Sequence, residues 1–216
     1  MSDQMNISLK VMKEDLSIEL DGEKYFYKTK ARDEDDNFTA RNHFVVATKN
    51  VFLWNEDDDF GYKIFTKGRN NTKRAYNLLW KKGWPLKRVH AVLPKEKVQL
   101  LHFMHNQLYD RGYGVKSHGL LKFNDSFWGL KLERVIINRE LNEELAGSLI
   151  NSQYKSDICG VCRELGMKLH RYDVNPENTP FCSKLNKLVH VDLDYSNIKF
   201  GSALKTALKL GFKLQS

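Results

Sequence analysis

Apolar and polar residues in the first third of the chain follow the short period of β-strands. KYFYKTK, residues 24–30, and HFVVATKNVFLW, residues 43–54, are rich in Val, Phe, Tyr and Trp, which suit a pleated, half-buried surface. Between them lies the acidic loop ARDEDDNFTARN, residues 31–42. NEDDDFG, residues 55–61, sets Asn, Asp and Gly between two apolar runs and predicts a turn. YKIFTKG, residues 62–68, predicts the returning arm of a hairpin.

From residue 70 the period becomes helical. NNTKRAYNLLWKKG, residues 70–83, predicts a helix capped by Asn71 or Thr72 and stopped by Gly83. WPLKRVHAVL follows as a strand. PKEKVQLLHFMHNQLYDRG, residues 94–112, has Pro94 at a helix start and Gly112 past its end. YGVKSHGLLKF and FWGLKLERVII predict two strands paired through NDS. NRELNEELAGSLINSQ predicts a helix, and KSDICGVCRELG a second one with Ser156 as cap and Gly166 as stop. MKLHRYDV predicts a strand, NPENTPFCSK a loop and LNKLVHVDLDY, residues 185–195, another strand. FGSALKTALKLG closes the series as a helix leading into FKLQS.

Four of these helices end in Gly, which adopts the left-handed conformation without a Cβ penalty. Each is followed by an i, i+2 apolar pair: Trp84 and Leu86, Tyr113 and Val115, Met167 and Leu169, Phe212 and Leu214. The expected fold is α+β, with a mixed, mainly antiparallel sheet and about five helices, four of them ending in Gly and leading into strands. The chain divides on composition into an acidic N-terminal segment (1–42), a basic α+β domain (43–153) and a C-terminal α/β portion (154–216).

Apolar residues make up 41% of the 216 positions, enough for a globular core. No apolar run suggests a membrane span, and the N-terminus lacks the apolar core of a signal peptide. An odd number of cysteines, three, fits a reducing compartment, so a cytoplasmic protein is expected. Few prolines and abundant Lys and Asn suggest an AT-rich genome, of the kind found in phage.

Charge changes the picture most. Residues 1–60 hold 14 acids and 8 bases, whereas residues 61–216 hold 13 acids and 27 bases. Residues 60–95 contain ten Lys and Arg and no acid, interleaved with Phe60, Tyr62, Phe65, Tyr76, Trp80 and Trp84. An ordinary solvated face mixes signs, whereas phosphate contacts need closely placed cations. Lys63, Lys67, Arg69, Lys73, Arg74, Lys81, Lys82, Lys87 and Arg88 are therefore expected to contact phosphates. Asn70 and Asn71 are expected to add hydrogen bonds to base edges. A second basic cluster, Lys199, Lys205, Lys209 and Lys213, extends that surface.

DICGVCRELGMKLH, residues 157–170, raises several chemistries. Ile158, Val161, Cys162, Leu165 and Leu169 are mostly spaced three or four apart, so a buried helical face is the favoured reading. Cys159, Cys162 and Cys182 with His170 or His190 supply zinc-type ligands, at an unfamiliar spacing. A redox C-x-x-C needs a helix N-terminus, and a helix-turn-helix needs a second helix that VNPEN interrupts. His102 and His105 share a helix face with His118 nearby in sequence, and the acidic runs 33–36 and 56–59 offer oxygen ligands. No cofactor and no catalytic set is expected.

Leu145, Ala146 and Gly147 in ELAGSLINSQ resemble the opening of the LAGLIDADG homing endonucleases. The resemblance covers three residues, and Asn151 and Ser152 stand where that family carries an acid. It implies an inactive copy suited to binding only. Asp125 and Glu133 do not complete a D…E-x-K nuclease pattern, because residue 135 is Val. No P-loop, dinucleotide fingerprint or nucleophile elbow occurs.

The sequence thus leads to a nucleic-acid-binding protein, with DNA the expected partner, in a regulatory or architectural role. A nuclease or processing enzyme is one alternative. A module that binds an acidic protein is the other.

Overall fold

The computed structural model describes residues 5–12, 17–27, 42–46, 50–55, 57–65, 95–123, 127–135, 139–193 and 197–214. They form two compact units, one of residues 1–95 and 118–134, the other of residues 96–117 and 135–216. Strands within residues 5–27 lie in the same sheet as strands within residues 42–65.

The first unit is a mixed nine-stranded sheet of β1 (Met5–Ile7), β2 (Leu9–Met12), β3 (Ser17–Leu20), β4 (Glu23–Tyr27), β5 (Asn42–Val46), β6 (Asn50–Asn55), β7 (Phe60–Phe65), β8 (Ser117–Phe123) and β9 (Phe127–Glu133). The order is β1-β8-β9-β7-β6-β5-β4-β3-β2. β1–β8 and β4–β5 are parallel; the pairs from β2 to β4 and from β5 through β7 to β9 are antiparallel. The two ends of this order, β1 and β2, are separated in sequence only by Ser8. The strands at the two ends of the order thus follow one another in the chain, within residues 5–12. Ser8 is tied there by Asp21: its N–H donates to Asp21 Oδ1 at 2.7 Å, and its carbonyl accepts from Asp21 N–H at 3.0 Å.

Alternation explains the interior. Ile18 and Leu20, Val51 and Leu53, and Leu121 and Phe123 are i, i+2 pairs pointing one way, and they meet Ile7, Tyr25, Phe44 and Ile64 in one core. The β3–β4 connection is an Asp-Gly turn, with Asp21 at φ 49 and Gly22 at φ 87. It has the two positive φ values of the tight hairpin turn that matches strand twist. The stretch 43–54, expected as one strand, is two: β5 and β6 pair antiparallel with Val46 opposite Val51, because polar ATKN separates the apolar runs.

The second unit contains α1 (Lys95–Asp110, from Glu96 onward), α2 (Arg139–Leu149), α3 (Ser152–Glu164) and α4 (Phe200–Lys209), with a small antiparallel pair, β10 (Phe181–Cys182) and β11 (Lys187–Leu188). Four helices lie among the described residues, fewer than the five expected; the helix expected over 70–83 lies outside them. Three helices end alike. Gly112, Gly166 and Gly211 have φ of 86, 73 and 88. Each Gly N–H donates three residues back and the next N–H five back, as in Gly166 to Arg163 and Met167 to Cys162. This pairing satisfies carbonyls that a helix end leaves open.

Three expectations are corrected here. The α3 cap is Asn151, whose side chain accepts from Tyr154 N–H at 2.8 Å, and not Ser156. MKLHRYDV is not a strand: Met167 makes one bridge to Ile198, after which Asp173 folds back on His170, its carboxylate accepting from His170 N–H and its N–H donating to His170 O. LNKLVHVDLDY yields only β11 and a single bridge from His190 to Gly114. The preceding loop supplies β10, so the local pairing is short.

Candidate nucleic-acid interface

The basic stretch begins at Phe60, the first residue of β7, and its last residue, Lys95, is the first of α1. Lys67, Arg69, Asn70, Asn71, Lys73, Arg74, Lys81, Lys82, Lys87 and Arg88 all lie outside the described residues, as do Tyr76, Trp80 and Trp84. Lys63 is described. It alternates with the core residues Tyr62 and Ile64, yet it is 4% exposed, and its ammonium lies 5.8 Å from the Phe65 ring centre. A phosphate contact needs an accessible ammonium, which the buried Lys63 does not offer.

Of the aromatics interleaved in the stretch, Phe65 is buried and Tyr62 packs half-buried against the core of the first unit. Burial raises the Tyr62 hydroxyl pKa above its usual value, with further contributions from Asp58, Glu23 and Asp21. Phe60 is half-buried; Lys131 lies 4.4 Å from its ring centre and His118 meets it edge-on at 4.7 Å. Lys95, at the far end of the stretch, lies 5.4 Å from the Trp128 ring centre. These cations sit at distances where an aromatic face attracts them.

The zinc reading fails on geometry. Cys159, Cys162, Cys182, His170 and His190 are all described, and no group of three His, Cys, Asp or Glu suited to a metal forms among the described residues. The cysteines are free and buried. His190 is fully buried with Nδ1 3.0 Å from Thr179 Oγ1, which makes it a core residue of the loop around β10. Burial pushes the Cys162 thiol up to about 12. Burial also raises Cys159, against the opposing pull of Arg171 and Arg163. A redox thiol needs the reverse shift, and Cys159 stands well inside α3. We expect Ellman's reagent at neutral pH to label none of the three cysteines of the native protein promptly, and to label all three once urea unfolds it. Rapid stoichiometric labelling without urea would contradict this burial.

The other candidates do not assemble either. On α1, His105 is buried and His102 Nδ1 lies 2.7 Å from Ser117 Oγ. His118 lies on β8 against Phe60. Asp57, Asp58 and Asp59 are exposed on the turn between β6 and β7, while Asp33 to Asp36, Glu56 and Asp125 lie outside the described residues. Leu145 to Gly147 lie in α2, with Ala146 buried.

One cluster escaped the sequence. Tyr109, on the last turn of α1, has Lys116 and Lys187 at 5.9 and 5.6 Å from its ring centre. No local signal joins residues 109, 116 and 187, because the grouping depends on the connection that brings β11 to α1.

No protein-family model, curated protein or solved structure matches the chain. Among the described residues, no helix is long and apolar enough to cross a membrane.

Proposed function

We propose that the protein binds nucleic acid, with duplex DNA as the partner, through the basic segment that joins β7 to α1. One observation carries the reading: residues 60–95 hold ten Lys and Arg and no acid. The rest of the first unit has 11 bases against 16 acids. The cations are thus concentrated in one segment of an otherwise acidic unit. Such a segment recognises a polyanion without any reacting group, and this favours a regulatory or architectural role over catalysis. The contacting residues are Lys67, Arg69, Lys73, Arg74, Lys81, Lys82, Lys87 and Arg88, with Asn70 and Asn71 at base edges.

Ultraviolet crosslinking to a short DNA duplex, followed by peptide mass spectrometry, tests the location. Crosslinked peptides are expected within residues 66–94, where Tyr76, Trp80 and Trp84 supply reactive rings. DNA crosslinks that avoid this segment altogether would refute it.

A further inference from the structure

The second unit carries 14 Lys and Arg against 11 Asp and Glu. Residues 195–216 contribute four of those lysines and no acid. Without them the unit has ten bases against 11 acids, so its whole positive excess resides in this one short segment.

The fold presents that charge outward. α4 buries Ala203 and Ala207 and leaves Lys205 and Lys209 exposed, four residues apart and so on one helix face. Lys199 before the helix and Lys213 after it are exposed as well. None of the four has a carboxylate within ion-pair distance among the described residues. The helix is held on α1 at two places. Phe212 lies 5.1 Å from Phe103, ring centre to ring centre. Lys97 lies 5.9 Å from the Phe200 ring centre, which brings a fifth cation to the start of α4. Elsewhere along the helix, Gly166 allows the α4 backbone to pack directly on the end of α3. A Cβ there would stand 2.8 Å from Ala203 Cα. Lys205 and Lys209 therefore project from a fixed helix, with Lys199 and Lys213 flanking its two ends.

We infer that α4 is a second phosphate-contacting face, built from Lys199, Lys205, Lys209 and Lys213 with Lys97 beside them, and that it engages the backbone of the same nucleic acid. This rests on the function proposed above. Charge complementarity selects the partner, because an unpaired row of ammonium groups on a rigid helix suits a regularly spaced polyanion. The same surface also exposes Leu208, at 53%, and Leu210, at 45%. An anionic membrane is therefore the competing occupant, and the test separates it.

The wild-type chain, a Lys205→Ala/Lys209→Ala/Lys213→Ala variant and a Lys73→Ala/Arg74→Ala/Lys81→Ala/Lys82→Ala variant are compared for binding to fluorescent duplex DNA across a salt series. All three are also tested on vesicles of phosphatidylserine and phosphatidylcholine. Lys205 and Lys209 on α4 and Lys213 just after it are all exposed, so their side chains can be removed without disturbing packing, and circular dichroism is used to check folding. The expected result is a salt slope reduced by about one for each lysine removed, with loss of affinity on every DNA sequence. An α4 variant with the wild-type slope would overturn the α4 assignment while leaving the proposed function standing. Wild-type protein that fails to bind DNA at low salt would overturn both. An α4 variant that loses vesicle binding but keeps its DNA slope would assign the face to a membrane and overturn this inference.

Discussion

Replacing Gly166 by Ala is expected to destabilise the second unit by about 3 kcal/mol, through backbone strain and overpacking together. Gly166 has φ 73, a conformation that costs an L-residue roughly 1–2 kcal/mol. The added Cβ would also meet Ala203 Cα, Ala203 N and the Ser202 carbonyl carbon, each at 2.8 Å. These are backbone atoms of α4, so the overlap cannot be relieved by a rotamer change. Gly112 separates the two effects. It has φ 86, but an added methyl would find nothing within 4 Å. Gly112→Ala should therefore show the conformational cost alone, about 1–2 kcal/mol. Urea unfolding of both variants measures the difference. Equal losses would contradict the close approach of α4 to the end of α3.

Gly129→Ala is expected to be comparably severe in the first unit. Gly129 lies opposite Ile64 in the β7–β9 pair. A Cβ would stand 2.5 Å from the Lys63 carbonyl oxygen and 2.7 Å from Phe123 Cε2. β9 can accept it only by moving off β7. A loss of about 2–4 kcal/mol is expected. Gly147→Ala is the opposing control: exposed within α2 with open space around it, it should stabilise the chain by about 0.5–1 kcal/mol. A Gly129→Ala midpoint matching that of the wild type would contradict the β7–β9 packing.

Local signals in the sequence are good guides where the physics is local. The helix stops at Gly112, Gly166 and Gly211 follow from a residue that accepts positive φ, and they appear with matching hydrogen-bond pairs. The apolar face of α3 follows from spacing, and Ile158, Cys162 and Leu165 are buried on it. The Asp21-Gly22 turn carries a local signal that the expected elements omit, since Asp-Gly between alternating residues is a strong hairpin signal. The place of β1 beside β8 is not legible. It depends on Met5–Ile7 pairing with Leu121–Phe123, more than a hundred residues away, and three-residue strands carry no periodicity of their own. MKLHRYDV has the composition of a strand, but its Asp173 side chain and backbone both engage His170 and turn the chain. Lys63 shows the same limit within the candidate site. Alternation places it opposite Tyr62 and Ile64, and its burial depends on tertiary packing that no strand pattern records.

We propose the acid-free basic segment as the nucleic-acid contact. Its most direct test is the salt dependence of duplex DNA binding, measured for the wild type and for the variant lacking Lys73, Arg74, Lys81 and Lys82. The wild type should lose affinity steeply as salt rises, because each neutralised phosphate releases counterions. The variant's slope should be smaller by about three to four. A steep slope that persists unchanged in the variant, or no binding by the wild type even at low salt, would contradict the account.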